Sequence, residues 1–364
     1  MKTKISVCIS VMLVAIYAAV ETAAVDYIIW EIQSSPDHNY IWMATSKGLA
    51  RYDIKSDEIA FYTDPYFPGI SQIAVSPEGK VAVGGAKGKG QIAVFENGTF
   101  NFCGPEDNKV VSGLSFENGL WYGTNYILGY QVDGQWKSAS YEPSSIAAMI
   151  LYSSFAFDSS TGRMWYGTHA SQSLNPCGWF DAKTAEFHPV KFPQGEGPLN
   201  VGSISLETSD IIWFGTYGSG MIRYDADIEK ITRYDTSNSP LPSNSVCGLL
   251  HTDLYLWGAS EGMIFRFREG KFEKFPLPVE TDITDLTYTR DRGDVIWVGT
   301  SDAGLWKFRV PTLSFECAQA GVDMTFSESN DDDKQPCYDL NGRKIANPEN
   351  GTVYIQGGKK MIAR

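Results

Sequence analysis

Hydrophobic and polar residues repeat along this chain with a long period. Six tryptophans open short apolar runs that mostly close in Gly-Thr, and Ile211-Ile212-Trp213-Phe214-Gly215-Thr216 is the clearest copy. The six are Trp42, Trp121, Trp165, Trp213, Trp257 and Trp297. A seventh copy, residues 81–85, lacks the Trp but keeps the frame, so consecutive copies lie 39 to 48 residues apart. This period is typical of a four-stranded propeller blade and predicts seven blades.

The fifth copy illustrates the strand pattern expected of every blade. Residues 203–206 alternate as a first strand, and residues 211–216 are apolar on both faces, as expected of a strand between blades. Residues 221–224 and 231–234 follow after turn-forming segments. We therefore predict an all-β fold, a seven-bladed β-propeller with four antiparallel strands per blade, running from about residue 28 to about residue 315.

The ends of the chain differ from the repeats. Lys2 and Lys4, an apolar run over residues 5–20 and small residues to Ala24 predict a secretory signal peptide over 1–24. A retained membrane anchor is the less favoured alternative, because the run is shorter than the ~20 residues that span a bilayer. The remaining boundaries are a propeller over 25–318, an acidic linker over 319–336 and a C-terminal β-hairpin tail over 337–364. We expect no transmembrane anchor after signal cleavage.

The net charge limits the possible partners, and the cysteine spacing bears on disulfides and metal sites. The formal net charge of -13 argues against nucleic acid and anionic membranes, because both require a basic face. Five cysteines follow the signal segment, and none has a metal-binding spacing. We read them as buried thiols, with a Cys317–Cys337 bridge as the alternative. The sequence predicts no cofactor and no metal.

Several repeats resemble those of the two-component regulator propeller family. The resemblance rests on Leu241-Pro242-Ser243-Asn244-Ser245-Val246 with Leu256-Trp257-Gly258, and on Ile296-Trp297-Val298-Gly299-Thr300 with Gly304-Leu305. It covers about residues 28–316. In that family such propellers form the periplasmic sensor part of bacterial hybrid histidine kinases, often for glycan fragments. Because no kinase or response-regulator segment is recognisable here, the resemblance implies a separate membrane signalling or cell-surface protein as partner.

The tail resembles a short segment found on many exported proteins of Gram-negative bacteria. It reads Tyr338-Asp339-Leu340-Asn341-Gly342-Arg343 and then Tyr354-Ile355 before Gly358-Lys359-Lys360, similar to type IX sorting tails but much shorter than a full sorting domain. Together with the signal segment, this implies a periplasmic, secreted or cell-surface location in a Gram-negative bacterium.

One ring face collects the candidate ligand-binding residues. The turn after the second strand of blade four, residues 169–177, is longer than its sister turns, and such additions are where function tends to be placed. The same face should carry the other turns of this kind and the connections between blades. The predicted ligand-binding residues are His169, Tyr217, Tyr66, Tyr126, Asn125, Glu261 and Asp302, with Phe67 and Tyr141 beside them. Aromatic faces and hydrogen-bonding groups at such a mouth suit a carbohydrate or a peptide.

Other functional interpretations are weaker. The repeated tryptophans could stack on sugars, but a large aromatic in a strand between blades is expected to fill volume there. Glu261 and Asp302 could form a glycosidase carboxylate pair, but solvent-exposed turn acids are the favoured interpretation. No catalytic motif links the four histidines. We expect an exported, non-catalytic ligand-binding or sensor-like propeller; the alternatives are a polysaccharide lyase or hydrolase and a protein-interaction scaffold.

Overall fold

A computed structural model describes residues 25–85, 92–104, 110–140, 150–170, 176–193, 196–198, 200–290 and 293–318, and the backbone of four short strands after residue 336. Every regular element in these ranges is a β-strand. The chain divides into two compact units, residues 1–320 and 321–364. No helix in the described part of the chain is long and apolar enough to cross a bilayer.

The first unit contains seven antiparallel sheets, each made of four strands that are consecutive in the chain. Blades one to four comprise β1 (Ile29–Ser34), β2 (Tyr40–Thr45), β3 (Gly48–Asp53), β4 (Glu58–Tyr62), β5 (Ile70–Val75), β6 (Val81–Gly85), β7 (Ile92–Glu96), β8 (Thr99–Phe102), β9 (Gly113–Ser115), β10 (Trp121–Gly123), β11 (Ile127–Val132), β12 (Gln135–Ser140), β13 (Ile150–Asp158), β14 (Arg163–Ala170), β15 (Cys177–Asp181) and β16 (Glu186–Pro189). Blades five to seven comprise β17 (Val201–Leu206), β18 (Ile211–Thr216), β19 (Met221–Asp225), β20 (Lys230–Tyr234), β21 (Cys247–His251), β22 (Leu256–Ser260), β23 (Met263–Arg268), β24 (Lys271–Pro276), β25 (Ile283–Arg290), β26 (Asp294–Thr300), β27 (Leu305–Arg309) and β28 (Ser314–Cys317).

The seven sheets are arranged as a β-propeller, which confirms the predicted fold. The first strand of each blade is innermost and contacts the first strands of both neighbouring blades, and β25 contacts β1 to close the ring. Both terminal blades contain four strands of their own, so no strand is exchanged across the junction.

Each repeated tryptophan packs against an aromatic ring of the next blade. Trp213 lies 5.3 Å from Phe267 between ring centroids, and Trp297 of blade seven lies 5.3 Å from Tyr52 of blade one. All six tryptophans are buried. Their role is therefore to fill the space between blades, as the sequence indicated, because a large apolar surface removed from water there stabilises the ring. In blade two, Ala82 takes the Trp position and joins a cluster of mostly smaller side chains.

The Gly-Thr that closes the run after four of the six Trp residues has two distinct structural roles. A Cβ on Gly123 would lie 2.1 Å from the carbonyl oxygen of Tyr152, so only glycine lets the inner strand of blade four approach. The Thr216 hydroxyl donates to the Gly220 carbonyl at 2.7 Å, and Thr300 donates to Gly304 at 2.6 Å. These bonds fix the conformation of the turn between the second and third strands. Such turns lie on the ring face that carries the predicted site.

The second unit contains four short strands in one antiparallel sheet. They are β29 (Cys337–Tyr338), β30 (Lys344–Ile345), β31 (Val353–Gln356) and β32 (Lys359–Ile362), in the spatial order β30-β29-β31-β32. The sequence predicted only a two-stranded hairpin here. The difference is physically reasonable, because a lone hairpin is marginally stable in water and further strands add ladder hydrogen bonds.

Candidate functional site

The main candidate site is the central channel of the ring, a cavity of about 370 Å³. Every blade contributes to its wall through its innermost strand or the residues just before it. The lining residues are Trp30, Glu31, Ser71, Gln72, Val110, Val111, Ser112, Leu151, Ser153, His169, Gly202, Tyr217, Cys247, Gly248, Thr284 and Asp285.

A register shift in the inner strands explains which side chains reach the channel. Six of the seven inner strands contain one where they pair with the second strand, for example between Ile29 and Glu31 and between Ile283 and Asp285. An extra residue inserted in this way re-aims the neighbouring side chains. Trp30 and Thr284, which are the extra residues of these two strands, both line the cavity.

Two carboxyl groups lie in the channel wall on either side of the ring junction. Asp285 of blade seven accepts hydrogen bonds from the Leu286 N–H at 2.8 Å and from the Ile32 N–H of blade one at 3.0 Å. Glu31 accepts one from the Ile73 N–H of blade two at 2.9 Å. The two carboxyls thus connect three consecutive blades through backbone donors.

Burial makes both carboxyls unusually weak acids. It raises the pKa of Glu31 to about 8, and the nearby Asp285 charge adds to this effect. It raises the pKa of Asp285 to about 7, although the two backbone donors act in the opposite direction. The physical cause is that a carboxylate removed from bulk water loses hydration, so the neutral acid is favoured. Near neutral pH the channel wall therefore carries partly protonated acids that can donate as well as accept.

His169 and Tyr217 form an aromatic pair on the channel wall. Their ring centroids lie 5.4 Å apart in an edge-to-face arrangement. The Tyr217 ring packs over Gly202 of the inner strand, where a Cβ would lie 2.4 Å from it. Tyr217 keeps 45% of its surface exposed, so it is covered on one face and open on the other.

The protonation states of this pair follow from partial burial. Burial lowers the pKa of His169, so its imidazole is neutral near pH 7. Burial likewise raises the pKa of Tyr217 to about 12, so its phenol stays a hydrogen-bond donor. His169 Nε2 is covered and has no hydrogen-bond partner among the described residues. A ligand atom must displace the groups that cover Nε2 to bind it.

Asn125 lies beside this wall without being part of the cavity lining. It forms an isolated bridge with Leu151, a lining residue, and its Oδ1 is covered with no partner in the described part of the chain. The sequence predicted Asn125, His169 and Tyr217 as ligand-binding residues, and the structure places all three at or next to the channel.

The other predicted site residues do not line the channel. Tyr66 is 59% exposed and packs edge-on against Phe102, while Phe67 is fully buried in the core between blades one and two. Tyr126 packs against the core between blades three and four. The expectation that Phe67 belongs to the mouth was wrong, because its ring fills the space left by Gly85.

Glu261 and Asp302 occupy exposed turns outside the cavity lining. Glu261 has a positive φ of 47°, and the Asp302 carboxylate accepts a hydrogen bond from the Thr281 hydroxyl. Tyr141 and residues 171–175 of the long blade-four turn lie outside the described residues.

Sequence reasoning missed Glu31 and Asp285. A signal was present, since each is a single acidic residue inside an apolar strand, in Ile29-Trp30-Glu31-Ile32 and in Ile283-Thr284-Asp285-Leu286. The two also hold the same position in the first and last blades, which become neighbours only when the ring closes.

A cysteine lies in the channel wall. Cys247 lines the channel and its thiol donates to the Ile283 carbonyl at 3.3 Å, while Cys103 and Cys177 are also free. The proposed bridge to Cys337 involves a side chain outside the described residues. Within the described ranges, no three His, Cys, Asp or Glu side chains are grouped as metal ligands.

Comparison with known proteins supports the fold and leaves the family open. Among many solved structures that match is a catalytically inactive histidine-to-alanine variant of virginiamycin B lyase from Staphylococcus aureus with quinupristin. The match has a TM-score of 0.64 at 16% sequence identity and covers 78% of this chain and 97% of that chain. No family model and no curated protein matches the sequence. The protein is thus a seven-bladed β-propeller, and membership of the two-component regulator propeller family stays a prediction.

Proposed function

We propose that this protein is an exported propeller that binds a small polar ligand, of the carbohydrate class, in its central channel. The observation that best supports this proposal is the contact between Tyr217 and His169 on one wall of the channel. Tyr217 presents an open aromatic face, and Nε2 of His169 is covered and has no partner among the described residues. Binding sites combine apolar or aromatic surface with a few fixed polar groups in this way. The signal-like residues 1–24 support an exported location.

The channel chemistry favours a neutral ligand rich in hydroxyl groups. Tyr217 offers an O–H donor, His169 Nε2 an acceptor or donor, and Ser71, Gln72 and Thr284 further polar groups along the wall. An anionic ligand is disfavoured, because its negative charge would lie near Glu31 and Asp285 and be repelled by their ionised forms. A sugar hydroxyl can instead accept a hydrogen bond from a protonated carboxyl or donate one to an ionised carboxyl.

A binding assay with channel variants tests this proposal. Purified protein is titrated with a panel of neutral and acidic oligosaccharides, and binding is followed by calorimetry and by thermal shift. We expect a neutral oligosaccharide to bind, Tyr217→Ala and His169→Ala to weaken it at least about tenfold, and the off-channel Tyr66→Ala to bind like the parent. Unchanged affinity in both channel variants would refute the site, and failure of the whole panel would refute the ligand class.

A second candidate function is enzymatic cleavage in the same channel. It is favoured by one observation: a neutral histidine of blade four and two weak carboxylic acids of blades one and seven line the same cavity. A base and an acid with displaced pKa values are what proton transfer requires. The similar propeller is called a lyase, but at 16% identity this likeness supports the shared fold alone.

Product analysis separates binding from catalysis. The protein is incubated separately with the oligosaccharide panel and with quinupristin, and products are sought by mass spectrometry. Cleavage that disappears in His169→Ala but persists in Tyr66→Ala would support an enzyme. Binding without products over a day at pH 6, 7 and 8 would support the non-catalytic role.

A further inference from the structure

A second potential site lies away from the channel, at the groove between blades one and two. Arg51, on the third strand of blade one, is stacked within a cluster of aromatic rings. Its guanidinium carbon lies 4.5 Å from the Tyr40 ring centroid, 5.7 Å from Trp42 and 6.0 Å from Tyr62. Stacking of this kind fixes the plane of the guanidinium and leaves its terminal N–H donors at the edge.

Blade six contains a matching aromatic arrangement, in which Phe275 takes the place of Tyr62 and the arginine has a carboxylate partner. Arg266 lies 4.6 Å from Tyr255, 5.9 Å from Trp257 and 5.6 Å from Phe275. There the guanidinium donates to the Glu273 carboxylate at 2.7 Å. Nε of both arginines is covered and has no partner among the described residues. The two sites therefore differ in the hydrogen-bond partner of the terminal guanidinium N–H groups.

The strand register shows what is absent from blade one. Glu273 is the residue paired with Arg266 on the outer strand, and the residue paired with Arg51 is Ala60. No carboxylate of a described residue lies within 4.0 Å of the Arg51 guanidinium. Arg51 therefore keeps the orientation of Arg266 but lacks the anion that Arg266 binds.

The space beside Arg51 is large enough for a small molecule. The groove is a cavity of about 510 Å³ lined by aromatic edges, backbone and four charged side chains, namely Trp42, Arg51, Tyr62, Glu78, Gly79, Lys80, Val81, Phe95, Glu96, Asn97 and Gly98. Lys80 is paired with Glu96 at 3.5 Å. Among the described residues, Arg51 is then the cation of this groove that has no ion-pair partner.

We propose that this groove binds the carboxylate of a small ring-bearing monocarboxylic acid, of the uronic acid class, through Arg51. The ligand carboxylate takes the place that Glu273 occupies at Arg266, and planar guanidinium–carboxylate pairs form two parallel hydrogen bonds. The ring rests on the edges of Trp42, Tyr62 and Phe95. This site is independent of the channel, because the two cavities share no lining residue among those described.

Binding of D-glucuronate to the full chain tests the proposal, with calorimetry as the measurement. The comparison ligands are D-glucose, the methyl ester of glucuronate and inorganic phosphate. We expect glucuronate to bind at least about tenfold more tightly than each of them, because only it offers a single planar carboxylate on a ring. Equal binding of the ester would overturn the role of the carboxylate. Equal binding of phosphate would overturn the selectivity, and no binding of glucuronate would overturn the site.

Two variants test whether glucuronate binds at Arg51, one by removing the arginine charge and the other by adding a carboxylate beside it. Arg51→Gln removes the charge, whereas Ala60→Glu keeps Arg51 and supplies the internal carboxylate seen in blade six. Both should lose glucuronate binding by at least about tenfold. Ala60→Glu should also keep or raise the melting temperature, since it reproduces the Arg266–Glu273 pair. Retained binding in Ala60→Glu at an unchanged melting temperature would refute the inference. Arg223→Gln in blade five, whose arginine already contacts Asp225, is the matched control and should bind like the parent.

Discussion

Replacing Glu31 by Gln should make the stability of this protein less sensitive to pH. Glu31 lines the channel, and its carboxyl accepts a hydrogen bond from the Ile73 N–H. Its ordinary pKa of 4.5 rises to about 8 in the folded chain. Gln fills the same volume and can still accept the Ile73 hydrogen bond, but it has no proton to lose.

The sign of the effect follows from which state holds the proton. Below the unfolded pKa of 4.5, both states are protonated and the full stability is present. Between that pH and about 8, the unfolded chain ionises while folded Glu31 stays neutral, so the free energy of unfolding falls as pH rises. Each pH unit in this window costs up to ~1.4 kcal/mol.

We expect the loss of unfolding free energy to be smaller than this upper limit. From pH 5 to pH 8 the cost could reach ~4 kcal/mol, but the channel is open to solvent and Asp285 titrates in the same range. We therefore expect Glu31→Gln to be about 2 kcal/mol more stable than the parent at pH 8. The difference in melting temperature would be ~4 °C, because a chain of this size shifts ~2 °C per kcal/mol.

Melting curves of parent and variant at pH 5, 6, 7 and 8 measure this effect. The variant-minus-parent difference removes the contributions of other groups, including His169 and His251, whose lowered pKa values act in the opposite sense in acid. Glu78→Gln, an acid-to-amide change at an exposed position outside the channel lining, serves as the matched control variant. If the Glu31→Gln difference were constant from pH 5 to pH 8, the assignment of a neutral buried carboxyl would be refuted.

Three further predictions concern the ring. Trp213→Ala removes the contact with Phe267 and should cost roughly 3–5 kcal/mol of unfolding free energy in denaturant titration; a cost below ~1 kcal/mol would contradict the packing role. Gly123→Ala puts a Cβ 2.1 Å from the Tyr152 carbonyl and should lower the melting temperature, whereas an unchanged value would show that the blades can separate there. Cys177 is fully buried and its thiol pKa is raised, so a thiol reagent should label it only on unfolding; rapid labelling of the folded protein would count against this burial.

The fold could be predicted because its determinants are local and repeated. In blade five, the Trp213 run, the closing Gly215-Thr216 and the following turn each have a structural reason that neighbouring residues reveal. Seven copies of the same pattern then require the same sheet seven times. The interblade role of the tryptophans also followed, since a strand apolar on both faces must be covered on both faces.

The candidate site was only partly predictable. His169 and Tyr217 stood out because one lies at the end of the second strand of blade four and the other directly after that of blade five, and those ends meet on one ring face. Phe67 was misplaced, because an aromatic in a connection between blades can turn inward to the core or outward to the mouth, and the sequence does not distinguish these directions.

The sequence by itself determined the number of blades, their strands and the residues that join one blade to the next, because those interactions recur at a fixed spacing. The tertiary structure alone decided what faces the channel, through a one-residue shift in the inner strands that no sequence pattern marks. Closure of the ring also brought Asp285 to Ile32, a contact across 253 positions of the chain. The pKa values of Glu31 and Asp285 depend on that closure, since desolvation and a neighbouring charge exist only where distant strands meet.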